Sequence, residues 1–326
     1  MKLARYMGGG RVEIVDEPIP ACPDGGLLIK SEASGLCSGE LMDWYMDRKI
    51  PHVLGHEVAG IVLESKDERF PVGERVFVHH HAPCMSCEWC DSGLHVHCDR
   101  WKRTKLVPGG MAEFFAVPSE NLTDAFSVGA MRAVDAALIE PLGCVMKSIG
   151  MAGTVFPTCT AAVIGLGAMG LLHALLMPEC TGFEMNSDRV DWARKQAIHV
   201  AGQDNSKRFD RIFICPGSQK AFDFALQIAN PGARLIMFAP LPPAERLVVS
   251  QEAYFRDLQI SHSYSCGPNH TLEAKAALEK GLVRAEQVVS DFIGIEDLPQ
   301  AYIKMKKGEI LKPMVVFAEG LIGHSG

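Results

Sequence analysis

Several things are missing from this sequence, and each absence narrows the reading. There is no surplus of basic charge: 32 Lys and Arg stand against 39 Asp and Glu, a formal charge of −7. No electrostatic footprint for nucleic acid or an anionic membrane face follows from that balance, so neither partner is expected. The opening "MKLARYMGGGRVEIVDEPIP" has no apolar signal-peptide core, which makes a cytoplasmic location the expectation. The longest apolar run, 161–177, is seventeen residues, broken by three glycines and carrying His173. That is short of a membrane span, and a strand, a glycine turn and a helix account for it better. Internal repeats, low-complexity tracts and charge blocks are also lacking, which excludes solenoids and acidic or basic tails.

What is present is a chain of 326 residues with 48% hydrophobic and 22% charged residues, ordinary for a folded soluble protein of two domains or one large one. Eleven cysteines cannot all pair, and in a reducing compartment a cysteine cluster reads as metal ligation before disulfides.

Residues 1–147 hold short β-like stretches between Gly, Pro and Asp: "GRVEIVD", "GGLLIKSEAS", "HEVAGIVLES", "GERVFVHH" and "AEFFAVP". One short helix over "GELMDWYMD" is expected among them. From about 148 strands alternate with helices, "AAVIGLG" and "AMGLLHALLM" first, then "TGFEM", "SDRVDWARKQAI", "DRIFIC", "KAFDFALQIA" and "ARLIMFA". That alternation predicts a parallel sheet with right-handed crossovers over 148–266. Residues 267–326 contain helical "TLEAKAALEKG" and "LPQAYIKMKKG", strand-like "KPMVVFAEG" and an end, "EGLIGHSG", that reads as flexible.

Three motifs carry chemistry. Cys84, Cys87, Cys90 and Cys98 have the spacing CxxCxxCx7C, in which one tight loop presents three thiolates and a longer arc returns the fourth. Four soft donors closing a tetrahedron make a structural zinc site. Next, Cys37 precedes Gly55-His56-Glu57, and Glu140 stands in "LIEPLGC". One thiolate, one imidazole and one or two carboxylates are the donor types of a catalytic zinc with an open position, although spacing alone does not show that they converge. Finally, Gly165-Leu166-Gly167-Ala168-Met169-Gly170 follows a buried strand and opens a helix, and Glu184 ends the next strand. This is the pattern of a dinucleotide turn, with phosphates at the helix N-terminus and an acidic side chain for the ribose hydroxyls, which favours NAD over NADP.

In this order, the cysteine lobe with "GHE", "EPL" and GxGxxG resembles the zinc-containing medium-chain dehydrogenase/reductase family, in its polyol and threonine dehydrogenase branches, over essentially the whole chain. The resemblance implies an α/β protein with a GroES-like, mostly-β catalytic domain from both chain ends (1–147 and 267–326) and a doubly wound Rossmann domain (148–266) between them. It implies Cys37, His56 and Glu140 as ligands of a catalytic zinc, with Glu57 beside the metal. Cys84, Cys87, Cys90 and Cys98 would hold a second, structural zinc. Gly165, Gly167, Met169, Gly170 and Glu184 fall on the NAD site, with Arg189 over the adenine, and a homodimer or homotetramer is expected.

Three departures stand out. The family's usual Ser or Thr two residues after the cysteine ligand is Gly39, the hydroxyl lying instead on Ser38, and its frequent His five residues after is Met42. A proton relay would then run through Ser38, Glu40, His52, Glu57 or water. Only thirteen residues separate Gly170 from Glu184, with Pro178 among them, so the first helix of the nucleotide domain should run about two and a half turns. The segment between Ala197 and Asp210 is also short.

The activity implied is oxidation of a secondary alcohol, of polyol or sugar type, by hydride transfer to NAD. An amino-alcohol such as threonine, an alcohol within a biosynthetic pathway, and a catalytically weak dinucleotide-binding module are the alternatives. Among smaller signals, His79, His80 and His81 read as solvated or core-facing, and Cys144 as a packed thiol. Cys22, Cys159, Cys180, Cys215 and Cys266 read as ordinary thiols, and Lys312 as a surface lysine rather than one that reaches the cofactor phosphates. Trp44 and Tyr45 are candidates for either a substrate pocket or a core.

Overall fold

The computed structural model describes residues 1–153, 159–204 and 206–317, so the tail at 319–326 lies outside the described residues. Two compact units form, one from Met1–Gly143 together with the chain from Cys266 onward, the other from Cys144–Ser265.

The first unit is built on β-branched and apolar alternation. Its large sheet runs in the order Asp291–Ile293, Pro313–Val316, Leu27–Gly35, Glu57–Ser65, Arg75–Val78, Ala125–Ser127, with Phe114–Val117 also pairing to Leu27–Gly35. All its neighbours are antiparallel except the first two strands. One face packs Leu27, Ile29, Val58, Val62, Val76, Phe115 and Val117 into a core. A smaller sheet, Arg11–Asp16, Lys2–Gly8 and His52–Val53, packs Ala4 and Tyr6 with Leu36, Leu54, Leu298 and Tyr302 in a second core. The expected helix over "GELMDWYMD" is a broken one: a 3₁₀ turn at Ser38–Leu41, a helical turn at Asp43–Met46 and another 3₁₀ turn at Asp47–Lys49.

Register is what makes this sheet useful. Gly35 pairs with Glu57, which sets Cys37, just beyond the end of one strand, beside His56, just before the start of its neighbour. By the same logic Val78 pairs with Ala125, which sets His79 beside Asp124. Met314 pairs with Gly35, which brings Lys312 to the same end of the sheet. Chemistry-bearing residues scattered along the chain are thus collected at strand ends.

The second unit is a five-stranded parallel sheet in the order Thr181–Phe183, Ala161–Ile164, Phe209–Ile214, Ala229–Met237, Gln259–His262. Strands such as "AAVI" are apolar throughout because a parallel sheet is covered on both faces. Phe183, Phe209, Ile212, Phe222 and Leu235 fill one layer of its core. The first helix, Ala168–Leu176, has nine residues, the two and a half turns expected, and stops just before Met177-Pro178. Beyond Thr181–Phe183 the shortened segment supplies only the bridge from Val200 to Gly182 among the described residues. The sheet therefore retains the strand reversal on either side of Ala161–Ile164, where such folds bind ligands at the carboxyl ends of their strands.

Candidate active site

Cys37 caps the 3₁₀ turn Ser38–Leu41, its sulfur accepting from the Gly39 N–H at 3.4 Å. The sulfur, a ring nitrogen of His56 and a carboxylate oxygen of Glu57 lie within 4.8 Å of one another. Cys37 and His56 are partly exposed and Glu57 is buried. Three donors with one side open to solvent match the ligand set of a catalytic zinc.

Their surroundings orient them. Glu40, buried, accepts from the Gly55 N–H at 2.8 Å and stands 3.4 Å from His56 Nδ1. A carboxylate on one ring nitrogen turns the other toward a metal. Burial pushes the His56 imidazolium down, but the charges of Cys37 and Glu40 outweigh it and hold the group well above its ordinary value. Glu57 gives one oxygen to the Lys312 ammonium, which also donates to the Leu36 carbonyl at 3.0 Å, while its Oε1 is buried with no hydrogen-bond partner. Gly35 makes the room: a Cβ there would lie 2.3 Å from Glu57 Oε2. Lys312 is thus no surface lysine. It is 2% exposed, and it ties Glu57 to the backbone beside Cys37.

Glu140 stands elsewhere. Its carboxylate groups with His79 and Cys266 rather than with Cys37 and His56, where Glu57 is the carboxylate of the set. Cys266, read as an ordinary thiol, is buried with its sulfur 3.9 Å from His79 Nε2, and His79 is core-facing as expected, with Nδ1 2.8 Å from Asp124. Neither was visible from spacing, because the three residues come from three distant segments. Ser38 is exposed, and His52 is half-buried and held below its ordinary value by that burial. Trp44 is half-buried and Tyr45 exposed, under the cations of Arg48 and Lys49, so neither fills a core.

In the cysteine lobe Cys84, Cys87, Cys90 and Cys98 converge, with sulfur separations of 3.9 Å for Cys84 to Cys90 and 3.5 Å for Cys87 to Cys90. Zinc–sulfur bonds of about 2.3 Å at tetrahedral angles give edges of about 3.8 Å, so the donors present fit the ion. Met85 in the left-handed region (φ 57°) tightens the first arc, and hydrogen bonds from Ser86 bring the Cys84 thiol down to about 6. A closed site of this kind contributes folding energy. Replacement of Cys87 by serine should remove one zinc per chain and lower the thermal unfolding midpoint. Full zinc content with unchanged stability would refute that role.

In the parallel-sheet unit Gly165 turns with φ 83°. Gly170 is required by close approach, since a Cβ there would lie 1.8 Å from the Gly165 carbonyl. At Gly167 the space is open, the nearest atom being Arg189 Nη1 at 3.7 Å from where a Cβ would stand. Glu184 binds the turn to its own strand end: it accepts from Leu166 N–H at 2.8 Å, Met185 N–H at 2.8 Å and Asn186 N–H at 2.9 Å. A carboxylate has about four lone-pair sites, so about one remains for a ligand hydroxyl. Arg189 Nε is buried without a partner beside the same turn. Met169 is half-buried in the first turn of the helix, its carbonyl accepting from His173. An open glycine and a helix N-terminus without a side-chain cap fit a dinucleotide's phosphates, with Arg189 beside the same turn.

Comparison with known proteins places the chain in a family. Residues 23–126 match the family described as alcohol dehydrogenase GroES-like domain. The chain is 30% identical to the D-altritol 5-dehydrogenase of Agrobacterium fabrum over 291 residues, 82% of this chain and 85% of the relative. It is 24% identical to a D-xylulose reductase A of Aspergillus fumigatus over 341 residues, 94% of this chain and 93% of that one. The fold is similar to that of an alcohol dehydrogenase from Thermus sp. ATN1, with a TM-score of 0.83 at 20% identity over 98% of this chain and 100% of that one. Among the described residues, no helix is long and apolar enough to cross a membrane.

Proposed function

This chain is an NAD(P)-dependent alcohol oxidoreductase of the zinc-containing medium-chain dehydrogenase/reductase family, and from that premise we propose that it oxidises a secondary hydroxyl of a polyol or sugar-type substrate, with NAD as acceptor and zinc held by Cys37, His56 and Glu57. The observation that carries the proposal is the convergence of those donors at one strand end, with Cys37 and His56 open to solvent. Zinc bound there supplies a Lewis acid for the hydroxyl oxygen, and NAD supplies the carbon that accepts hydride.

The chain's own residues do the rest. Glu40 fixes the His56 ring, and Lys312 fixes Glu57. Gly39 and Met42 offer no side chain that carries a proton, so with Glu57 given to the metal the carriers available are the exposed Ser38 hydroxyl, Glu40 Oε2, which is buried with no hydrogen-bond partner, and the half-buried His52 ring. The glycine turn receives the pyrophosphate, Glu184 accepts from a ribose hydroxyl, and its charge repels a 2′-phosphate. The polyol class draws support from the names of the relatives, which refer to D-altritol and D-xylulose.

The test is NADH formation by zinc-loaded protein given D-altritol, other polyols, or threonine. Turnover of polyols is expected. Turnover of threonine alone would replace the substrate class, and NAD binding without turnover of any alcohol would leave a dinucleotide-binding module. Glu184→Ala should lower kcat/KM with NAD by about tenfold or more, as hydrogen bonds to a charged group are worth about 1.5–3 kcal/mol. The ratio of NADP to NAD use should rise with it, and an unchanged ratio would remove Glu184 from cofactor selection.

A further inference from the structure

We propose that His79, Glu140 and Cys266 form an additional, buried metal site that takes a zinc-type divalent cation, separate from the Cys37 set and from the cysteine lobe. One ligand atom from each lies within 4.8 Å of the others, and the residues are 0%, 5% and 0% exposed. Each arrives by a different route. His79 follows the strand Arg75–Val78, Glu140 sits in the first turn of the helix Ile139–Met151, and Cys266 precedes Gly267, the N-cap of the helix Pro268–Glu279.

The supporting shell is that of a metal site. His79 Nδ1 is 2.8 Å from Asp124 Oδ2, and Asp124 Oδ1 accepts from the Thr271 hydroxyl at 2.6 Å. Nδ1 donates to the Asp124 carboxylate in the neutral tautomer that metal binding requires, which leaves Nε2, 3.9 Å from Cys266 Sγ, as the ligand atom. Zinc bonds of about 2.3 Å to sulfur and about 2.0 Å to nitrogen subtend about 3.5 Å at the tetrahedral angle, so a small contraction seats the ion. Gly143, one turn after Glu140, keeps space for the sulfur: a Cβ there would lie 3.2 Å from it. Sulfur, nitrogen and oxygen donors together favour zinc over magnesium or calcium.

The test is metal stoichiometry, which is independent of turnover. Full-length protein equilibrated with Zn²⁺ and desalted should hold three zincs per chain by elemental analysis, against two for the family sites alone. Cys266→Ser should lose one and keep the other two, and Cys37→Ser with Cys266→Ser should keep one. A wild-type chain that takes no more than two, or a Cys266→Ser protein with the full complement, overturns the proposal. Should Cys266→Ser fail to fold, cadmium NMR of the wild-type protein decides: three cadmium resonances are expected, and two overturn it.

Discussion

Replacing Cys37 by serine, or His56 by alanine, is expected to reduce turnover by about a thousandfold or more while NAD affinity stays unchanged. The size follows from what the ion contributes: several kcal/mol of charge stabilisation at the hydroxyl oxygen, each 1.36 kcal/mol being about tenfold in rate. Selectivity follows from the fold, because the glycine turn and Glu184 belong to the other compact unit. Steady-state NADH formation and calorimetric titration with NAD measure the two effects separately. Full activity in Cys37→Ser would sink the assignment of the metal centre, and equal loss of turnover and NAD binding would mean that the substitution unfolds the protein.

In zinc-free protein, Lys312→Met is expected to destabilise the mostly-β unit by about 3–5 kcal/mol, the cost of stranding one member of a buried ion pair. The side chains of Lys312 and Glu57 are 2% and 1% exposed, so water cannot compensate the orphaned carboxylate. The variant also loses the tie from Lys312 to the Leu36 carbonyl, adjacent to Cys37. Thermal unfolding of Lys312→Met should show a midpoint several degrees lower. Adding Glu57→Gln should recover part of the loss, because the second change removes the stranded charge. If the double variant is as unstable as the sum of the singles, the pair is not the source of the effect.

The two parts of the molecule differ in how far they could be read in advance. The cysteine lobe was legible because its four donors lie within one short arc, where spacing limits geometry to a tight loop. The nucleotide turn was legible because strand, glycines and helix are contiguous, and even the nine-residue first helix followed from counting residues up to Pro178. The carboxylate of the Cys37 set was not settled in this way. Glu57 and Glu140 have the same chemistry, and only the pairing of Gly35 with Glu57 puts the former beside Cys37. Lys312 reads as a surface residue because a lone lysine shows no partner in its own segment, yet its partner is 255 residues away. Cys266 has no ligand spacing at all, since His79 precedes it by 187 residues.

Local spacing and periodicity thus determined, without any structure, the alternation of strands and helices, the four-cysteine lobe and the glycine turn followed by Glu184, and they supplied the donor types from which a metal centre is proposed. Those features depend on chain segments short enough for the backbone's few conformations to decide what meets what. Which carboxylate joins Cys37 and His56, which cation balances it, and that His79, Glu140 and Cys266 meet at all were decided only by tertiary structure. Sheet register fixes the first two, and the packing of distant strands and helices fixes the third. The side-chain alternation of a strand records which face is buried, not which strand end lies beside it.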